Sequence, residues 1–180
     1  MATSKTKIDC NGVVGLPGLN PDRAFHGVSL MLQLDAIFVP LGNGSLVNGI
    51  GTWFKHASPR TKVIAVCAEG APSMAISWRE HRAVDAPSSS IADGIAVRVP
   101  VPEAVEIMAH TVDDVMLVPD AAMLEWMRHV IADTGLVIEP AGTAGLAAIA
   151  LSADALRGKR VATIFTGGNL TDDQMKDWLG

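Results

Sequence analysis

The sequence predicts an α/β protein built on a doubly wound, mostly parallel sheet with helices on both faces. Short and continuous apolar runs, which suit strands buried on both faces, alternate with longer segments whose apolar residues recur at helical spacing. Apolar residues make up 49% of the 180 residues and charged residues only 18%, which excludes a disordered chain and suits one domain.

The elements follow in order along the chain. Residues 1–20 contain several glycines and no clear period, so we predict a loop or disordered start, followed by a single domain over residues 21–180. The predicted strands are residues 36–40, 62–68, 115–118 and 160–165, the last of them buried. The predicted helices are residues 21–34, 46–57, 72–81, 102–111, 121–134, 144–156 and 171–179. Residues 91–99 are predicted to be irregular or a short edge strand, and residues 137–138 a brief extended piece.

Charge and cysteine usage exclude several classes of protein. Lys and Arg number 14 and Asp and Glu 19, so the net charge of −5 argues against a general binder of nucleic acid or anionic membranes. No apolar stretch reaches the roughly 20 residues of a membrane span. Two cysteines, Cys10 and Cys67, cannot form a disulfide framework, so the expected compartment is the cytoplasm. The low charge content predicts a surface partly covered by another domain or by a second subunit, as in a homodimer.

A glycine-rich loop follows the first predicted strand. Gly42, Asn43, Gly44 and Ser45 stand between that strand and the helix predicted from Leu46. Glycines let a backbone approach a ligand closely, and a helix N-terminus supplies unpaired N–H groups that favour anions. The segment therefore fits a phosphate-binding loop, and equally an ordinary turn between a strand and a helix.

Two further loops carry polar groups near predicted strand ends. Glu139 precedes Pro140, Ala141 and Gly142, where an acid at a helix start is also explained by the helix dipole. Residues 166–169, Thr-Gly-Gly-Asn, follow the last predicted strand. A hydroxyl and two glycines at that place suit a ligand site as well as a strand-ending turn.

Taken together and in order, these segments resemble the threonine dehydratase and serine racemase group of pyridoxal-phosphate enzymes, which have the tryptophan-synthase-β-like fold (fold type II). The resemblance covers roughly residues 21–170 and is to the carboxyl-terminal, large-domain half of such an enzyme. It is carried by four segments, which are Val39-Pro40-Leu41-Gly42-Asn43-Gly44-Ser45-Leu46, Ala92-Asp93-Gly94, Ile138-Glu139-Pro140-Ala141-Gly142 and Thr166-Gly167-Gly168-Asn169.

The resemblance implies pyridoxal phosphate as cofactor and a role for each matched residue. The backbone N–H groups of residues 42–46 (Gly42, Asn43, Gly44, Ser45 and Leu46) would hold its phosphate. Thr166 would face the pyridine nitrogen, Glu139 would lie near the ring, and Gly168 and Asn169 would complete the floor and edge of the ring site. A neutral hydroxyl beside the nitrogen leaves it largely unprotonated, which suits β-elimination.

Two parts of the family pattern are missing from this sequence. No segment matches the family's serine-x-lysine setting for the Schiff-base lysine or its loop for the substrate carboxylate, and the six lysines present are predicted to be solvated charges. We therefore assign no catalytic residue. Some members bind a divalent cation through a glutamate and an aspartate six residues later. Here Glu69 is followed at that distance by Ala75, so we predict no metal site.

The implied protein is a threonine or serine dehydratase-like lyase of amino-acid metabolism, truncated and inactive without the lysine-bearing half. Its partners would be the cofactor, an amino-acid substrate and a separate chain with that half. Two alternatives stay open. One is a non-catalytic scaffold or a subunit of a split enzyme, and the other is an α/β protein that binds a different phosphate ligand.

Overall fold

The structure is a computed structural model, and it describes residues 33–179. The loop predicted for residues 1–20 lies outside this range, as do all but the last two residues of the helix predicted for 21–34. Within the range, the α/β fold class is confirmed.

Four parallel strands form one sheet. They are β1 (Ala36–Pro40), β2 (Lys62–Ala68), β3 (Asp114–Val118) and β4 (Val161–Thr163), in the spatial order β3-β2-β1-β4. All five residues of β1 are buried, as expected for a central strand with helices on both faces. The last strand predicted over residues 160–165 is present, but the prediction that it is buried was wrong. β4 is three residues long and only half-buried, because it is the edge strand among the described residues.

Helices cover both faces of the sheet. Ile37 and Val39 of β1 pack with α1 (Ser45–Ala57), α2 (Ser73–Glu80) and α3 (Pro102–Thr111) on one face. Phe38 packs with α4 (Asp120–Thr134) and α5 (Pro140–Leu151) on the other face. The last helix is α6 (Asp172–Leu179). None of the helices in residues 33–179 is long and apolar enough to cross a membrane.

Helix α5 differs most from its predicted position. It spans Pro140–Leu151, so it begins four residues earlier and ends five residues earlier than the predicted helix 144–156. Its first nine residues are all buried, so the segment lacks the alternation of apolar and polar faces that reveals helix ends in a sequence. Pro140 suits the first helical turn because its missing N–H has no partner there anyway.

Residues 91–99 are irregular, which is one of the two predicted alternatives, and they contain a short 3-10 helix, Asp93–Ile95. Residues 137–138, predicted to be a brief extended piece, belong to no strand. The start of α6 follows its signal, since the N–H of Gln174 donates to Thr171 Oγ1 at 3.2 Å and the N–H of Thr171 donates to Gln174 Oε1 at 2.9 Å. This reciprocal pair caps the helix as the threonine predicts.

The strand order places a switch point beside β1. From β1 the chain moves through β2 to β3 on one side, whereas β4 returns to pair with the other side of β1. In sheets of this type, ligands bind beyond the carboxyl ends of the strands at such a point. The loops that follow β1 and β4 are therefore the expected walls of a site.

Candidate functional site

The loop after β1 leaves an open set of backbone donors. Gly44 stands at the N-cap of α1 with a φ of 94°, and no side chain caps the helix. The first helical hydrogen bond runs from the N–H of Asn48 to the carbonyl of Gly44 at 2.9 Å. The N–H groups of Ser45, Leu46 and Val47 therefore have no intrahelical acceptor, and the side chains of Ser45 and Leu46 are exposed. This geometry suits an anion such as a phosphate.

Glycines bring the backbones of the surrounding loops into direct contact. A Cβ on Gly42 would lie 2.9 Å from the carbonyl oxygen of Gly94, in the 3-10 helix. A Cβ on Gly142, in the first turn of α5, would lie 1.9 Å from the carbonyl oxygen of Thr166. Real Cβ atoms do not approach so closely, so both positions require glycine. The loops after β1 and β4, the Ala92-Asp93-Gly94 stretch and the start of α5 thus form one packed unit.

The carboxyl group of Glu139 lies in the middle of this unit. A Cβ on Gly167, which has a φ of 66°, would lie 2.0 Å from Glu139 Oε1, and one on Gly94 would lie 3.2 Å from the same oxygen. Burial and then the nearby Asp93 carboxylate raise the pKa of Glu139, while a hydrogen bond from the backbone N–H of Asn169 opposes the shift. The neighbours of Glu139 therefore disfavour its ionised form relative to a carboxyl group in water.

The structure brings the predicted site residues to one edge of the sheet. Phe38 of β1 pairs with Thr163 of β4, and Leu41 and Thr166 each follow three residues later. Thr166 is half-buried, whereas Gly168 and Asn169 are exposed. Their contacts with a cofactor remain predictions.

Three features of the site were missed in the sequence. Asp93 faces Glu139, Gly167 packs against the same carboxyl group, and the side chain of Asn43 accepts a hydrogen bond from the N–H of Val101 at 3.3 Å. The Ala92-Asp93-Gly94 and Thr-Gly-Gly-Asn segments signalled the first two, since both were matched to the family without a role for Asp93 or Gly167. No signal in the sequence links residue 43 to residue 101.

Three of the four lysines in residues 33–179 lie at the opposite edge. Lys55 Nζ lies 2.5 Å from Asp113 Oδ2, and Lys62 Nζ lies 3.1 Å from Asp113 Oδ1. Lys159 pairs with Asp35 at 3.7 Å. Lys62 and Lys159 are more than half exposed, as predicted for solvated charges, whereas Lys55 is largely covered, so the prediction was wrong for Lys55. They lie at the end of α1 or at strand starts, which is the amino edge of the sheet, away from the glycine loop.

No metal centre is built by the described residues. In residues 33–179, no three His, Cys, Asp or Glu side chains are grouped so that they could hold an ion. Glu69 is exposed, and Ala75 is buried in α2.

The fold and the loops together define a class of protein: an α/β protein with a glycine-rich loop and an uncapped helix start at the switch point of a parallel sheet. The chain belongs to the pyridoxal-phosphate dependent enzyme family, whose model matches residues 27–167. The predicted resemblance is thus confirmed, and pyridoxal phosphate is the cofactor of the family.

Individual relatives agree with this assignment. A biosynthetic L-threonine dehydratase from Halalkalibacterium halodurans is 32% identical over 81% of this chain and 35% of its own length. The chain therefore spans about a third of that relative. Maize serine racemase matches with a TM-score of 0.74 and 26% identity, over 88% of this chain and 51% of its own. The processed form of threonine deaminase isoform 2 from Solanum lycopersicum has a TM-score of 0.78 at 24% identity, over 86% and 46%, and shows the fold.

Proposed function

We propose that the chain forms the phosphate- and ring-binding part of a pyridoxal-phosphate lyase that acts on threonine, serine or a similar small hydroxy amino acid. The observation that carries the proposal is that the Gly42–Leu46 loop and the Thr166–Asn169 loop follow neighbouring parallel strands at one carboxyl edge, beside the uncapped start of α1. The names of the relatives, a threonine dehydratase and a serine racemase, support the substrate class.

The residues present fit this cofactor. Backbone N–H groups of residues 42–46 would bind the phosphate, because the start of α1 presents donors without acceptors. Thr166 would hold the pyridine nitrogen by its hydroxyl, and Gly168 and Asn169 would border the ring. Glu139, whose pKa is raised by burial and then by the Asp93 carboxylate, would lie near the ring. When bound, the cofactor supplies the electron sink that lets the β-hydroxyl of the substrate leave.

The reactive lysine must come from polypeptide other than residues 33–179. Lys55, Lys62 and Lys159 are engaged with carboxylates at the amino edge, and Lys176 is exposed on α6. We therefore propose that residues 33–179 alone are inactive and that a lysine-bearing segment outside them completes the site. A reactive lysine must be desolvated and aimed at the cofactor, and none of these four is.

The surface next to the site supports such a partner. Within the described residues, the outer edge of β4 pairs with no strand. An apolar groove runs between this strand and α1, lined by Ile37, Ile50, Trp53 and Ile164 among others. Trp53 is 41% exposed there, and Phe165, which follows Ile164 in the chain, is also 41% exposed. A homodimer would also cover this apolar surface.

The buried thiol of Cys67 is free, which suits a cytoplasmic location because thiols stay reduced there.

Cofactor titration tests the binding part of the proposal. We expect pyridoxal phosphate to raise the melting temperature and to change its own absorbance on binding, with pyridoxal much weaker because it lacks the phosphate. Ser45→Asp, which puts a negative charge into the loop, should weaken binding of pyridoxal phosphate about tenfold or more. Ala121→Asp is the matched control, since it adds the same charge to the exposed first turn of α4 and should leave affinity unchanged.

Turnover tests the rest. The chain alone should release no 2-oxo acid from L-threonine or L-serine, and a lysine-bearing half should restore release. Absent binding of pyridoxal phosphate, or tighter binding of a nucleotide, would contradict the proposal and favour a different phosphate ligand. Binding that never leads to turnover with any lysine-bearing half would favour a non-catalytic scaffold.

A further inference from the structure

The side chain of Asn43 joins two helices at the phosphate loop. Its Oδ1 accepts a hydrogen bond from the N–H of Val101 at 3.3 Å, although 58 residues separate the two. Val101 is the N-cap residue of α3, and its neighbour Pro102 has no N–H to offer. Asn43 therefore supplies an acceptor to the start of α3 with its side chain, while its backbone leads into α1.

The two helices lie side by side below this contact. A Cβ on Gly44 would meet the Ala104 side chain at 3.1 Å. Asn48 Nδ2 donates to the carbonyl of Ala104 at 2.9 Å, and Thr111 Oγ1 donates to Asn48 Oδ1 at 2.9 Å. These contacts are buried or half-buried, whereas the loop itself is exposed at Asn43. Asn43 thus extends the α1–α3 contact to the part of the loop that must present N–H groups.

Such a link matters because glycine loops have many accessible backbone conformations. Holding the loop in one of them before a ligand arrives reduces the entropy that binding would otherwise cost. The link also occupies the N–H of Val101, so the start of α3 competes less for an anion. Glu103, an acid in the first turn of α3, further disfavours an anion there.

We propose that Asn43 is a positioning residue of the phosphate loop: its side chain, held by the N–H of Val101 at the start of α3, fixes the loop in the conformation that presents backbone N–H groups to a phosphate. The inference rests on the proposed function and deepens it. It also explains why a loop with a side chain at this position remains open to a ligand, since the side chain is turned towards α3.

The test compares Asn43→Ala, Asn43→Asp and the unchanged full chain. Two quantities are measured: amide hydrogen exchange at Val101, and affinity for pyridoxal phosphate and for inorganic phosphate. Asn43→Ala should speed exchange at Val101 and weaken both ligands about threefold to tenfold, the worth of one hydrogen bond. Asn43→Asp keeps an acceptor, so exchange at Val101 should stay slow. Its affinity should be low in dilute salt and recover at high salt, where the added charge is screened.

A matched control distinguishes loss of the Asn43 hydrogen bond from loss of any exposed hydrogen bond. Ser88→Ala removes a comparable exposed hydrogen bond, from Ser88 Oγ to the carbonyl of Ala96 at 3.0 Å, and should change neither affinity nor exchange at Val101. If the unchanged chain binds pyridoxal phosphate and Asn43→Ala binds it equally well, the positioning role is overturned while the proposed function stands. The role is overturned as well if Asn43→Asp stays as weak as Asn43→Ala at high salt. If the unchanged chain binds neither ligand, the proposed function itself fails.

Discussion

The two edges of the sheet are built on opposite principles. At the amino edge, the carboxylate of Asp113 forms ion pairs with Lys55 and Lys62 and accepts a hydrogen bond from the N–H of Val63. Its negative charge is therefore compensated. At the carboxyl edge, backbone packs on backbone through glycines, the start of α1 has no cap, and Glu139 faces the like charge of Asp93.

This difference distinguishes an edge whose polar groups are paired within the fold from an edge whose polar groups are open to a ligand. Paired charges and satisfied donors at the amino edge stabilise the fold without offering anything to a ligand. Unpaired donors and a carboxyl group held against its preference for ionisation are costs that a ligand can offset. Substitutions at one edge at a time should therefore have different effects on stability and on binding.

The largest effect is expected from Gly142→Ala at the carboxyl edge. The new Cβ would lie 1.9 Å from the carbonyl oxygen of Thr166 and 2.5 Å from Ile138 Cγ2, so backbone must move. We expect the free energy of unfolding in urea to fall by about 3 kcal/mol or more. Binding of pyridoxal phosphate should fall too, because the Thr166 loop is displaced.

Gly49→Ala is the control for that substitution. Nothing lies within 4 Å of a Cβ at Gly49 in α1, so the change should stabilise the chain by about 0.5–1 kcal/mol through helix propensity. Equal stability of the Gly142→Ala and Gly49→Ala variants would show that the loops at the carboxyl edge are not packed as tightly as the structure has them.

An intermediate effect is expected from Asp113→Asn at the amino edge. Burial alone would raise the pKa of Asp113, but hydrogen bonds from Lys55, Val63 and Lys62 hold it below its ordinary value of 3.8. The contribution of the ionised Asp113 to the free energy of unfolding is therefore complete above about pH 4–5. It is lost as the pH falls through the lowered pKa of Asp113. We expect Asp113→Asn to cost about 1–2 kcal/mol at pH 7 and to flatten the acid part of the curve of stability against pH.

Asp114→Asn provides the comparison, because it removes the same charge one residue along at an exposed position. Its amide oxygen can still accept the local N–H of Val115. Urea unfolding between pH 2 and pH 7 should show a changed slope for Asp113→Asn alone. Parallel curves for the two variants would mean that Asp113 stabilises the fold no more than a surface charge does.

The sequence predicted the sheet, and the gathering of the glycine-rich loops at its carboxyl edge, better than it predicted helix ends. Strands such as 62–68 stand out because buried parallel strands are continuous apolar runs. The start of α5 was missed because nine consecutive buried residues carry no period. Contacts such as Asn43 with Val101 and Asp93 with Glu139 join distant segments, and no local pattern encodes them. Glycines were readable as markers of a loop, but what each one packs against emerges only in three dimensions.

The smallest effect is expected from Glu139→Gln, and its sign is opposite to that of the amino edge. Burial and the Asp93 carboxylate raise the pKa of Glu139 above its ordinary value of 4.5. Ionisation therefore works against the fold, and stability is lost as the pH rises through the range above 4.5. Glutamine keeps an acceptor for the N–H of Asn169 but carries no charge. We expect Glu139→Gln to gain a few tenths of a kcal/mol at pH 7, since the group is partly solvated and its interactions are screened.

Urea unfolding of this variant between pH 4 and pH 8 decides whether the two edges differ as described. Glu106→Gln, at an exposed position in α3, removes the same charge and should leave the slope unchanged. If Glu139→Gln destabilises the chain at pH 7, the ionised carboxylate of Glu139 makes favourable interactions that outweigh its burial and the repulsion from Asp93. The carboxyl edge would then pair its charges much as the amino edge does. The proposed difference between the two edges would be wrong at Glu139, the residue that lies in the middle of the carboxyl edge.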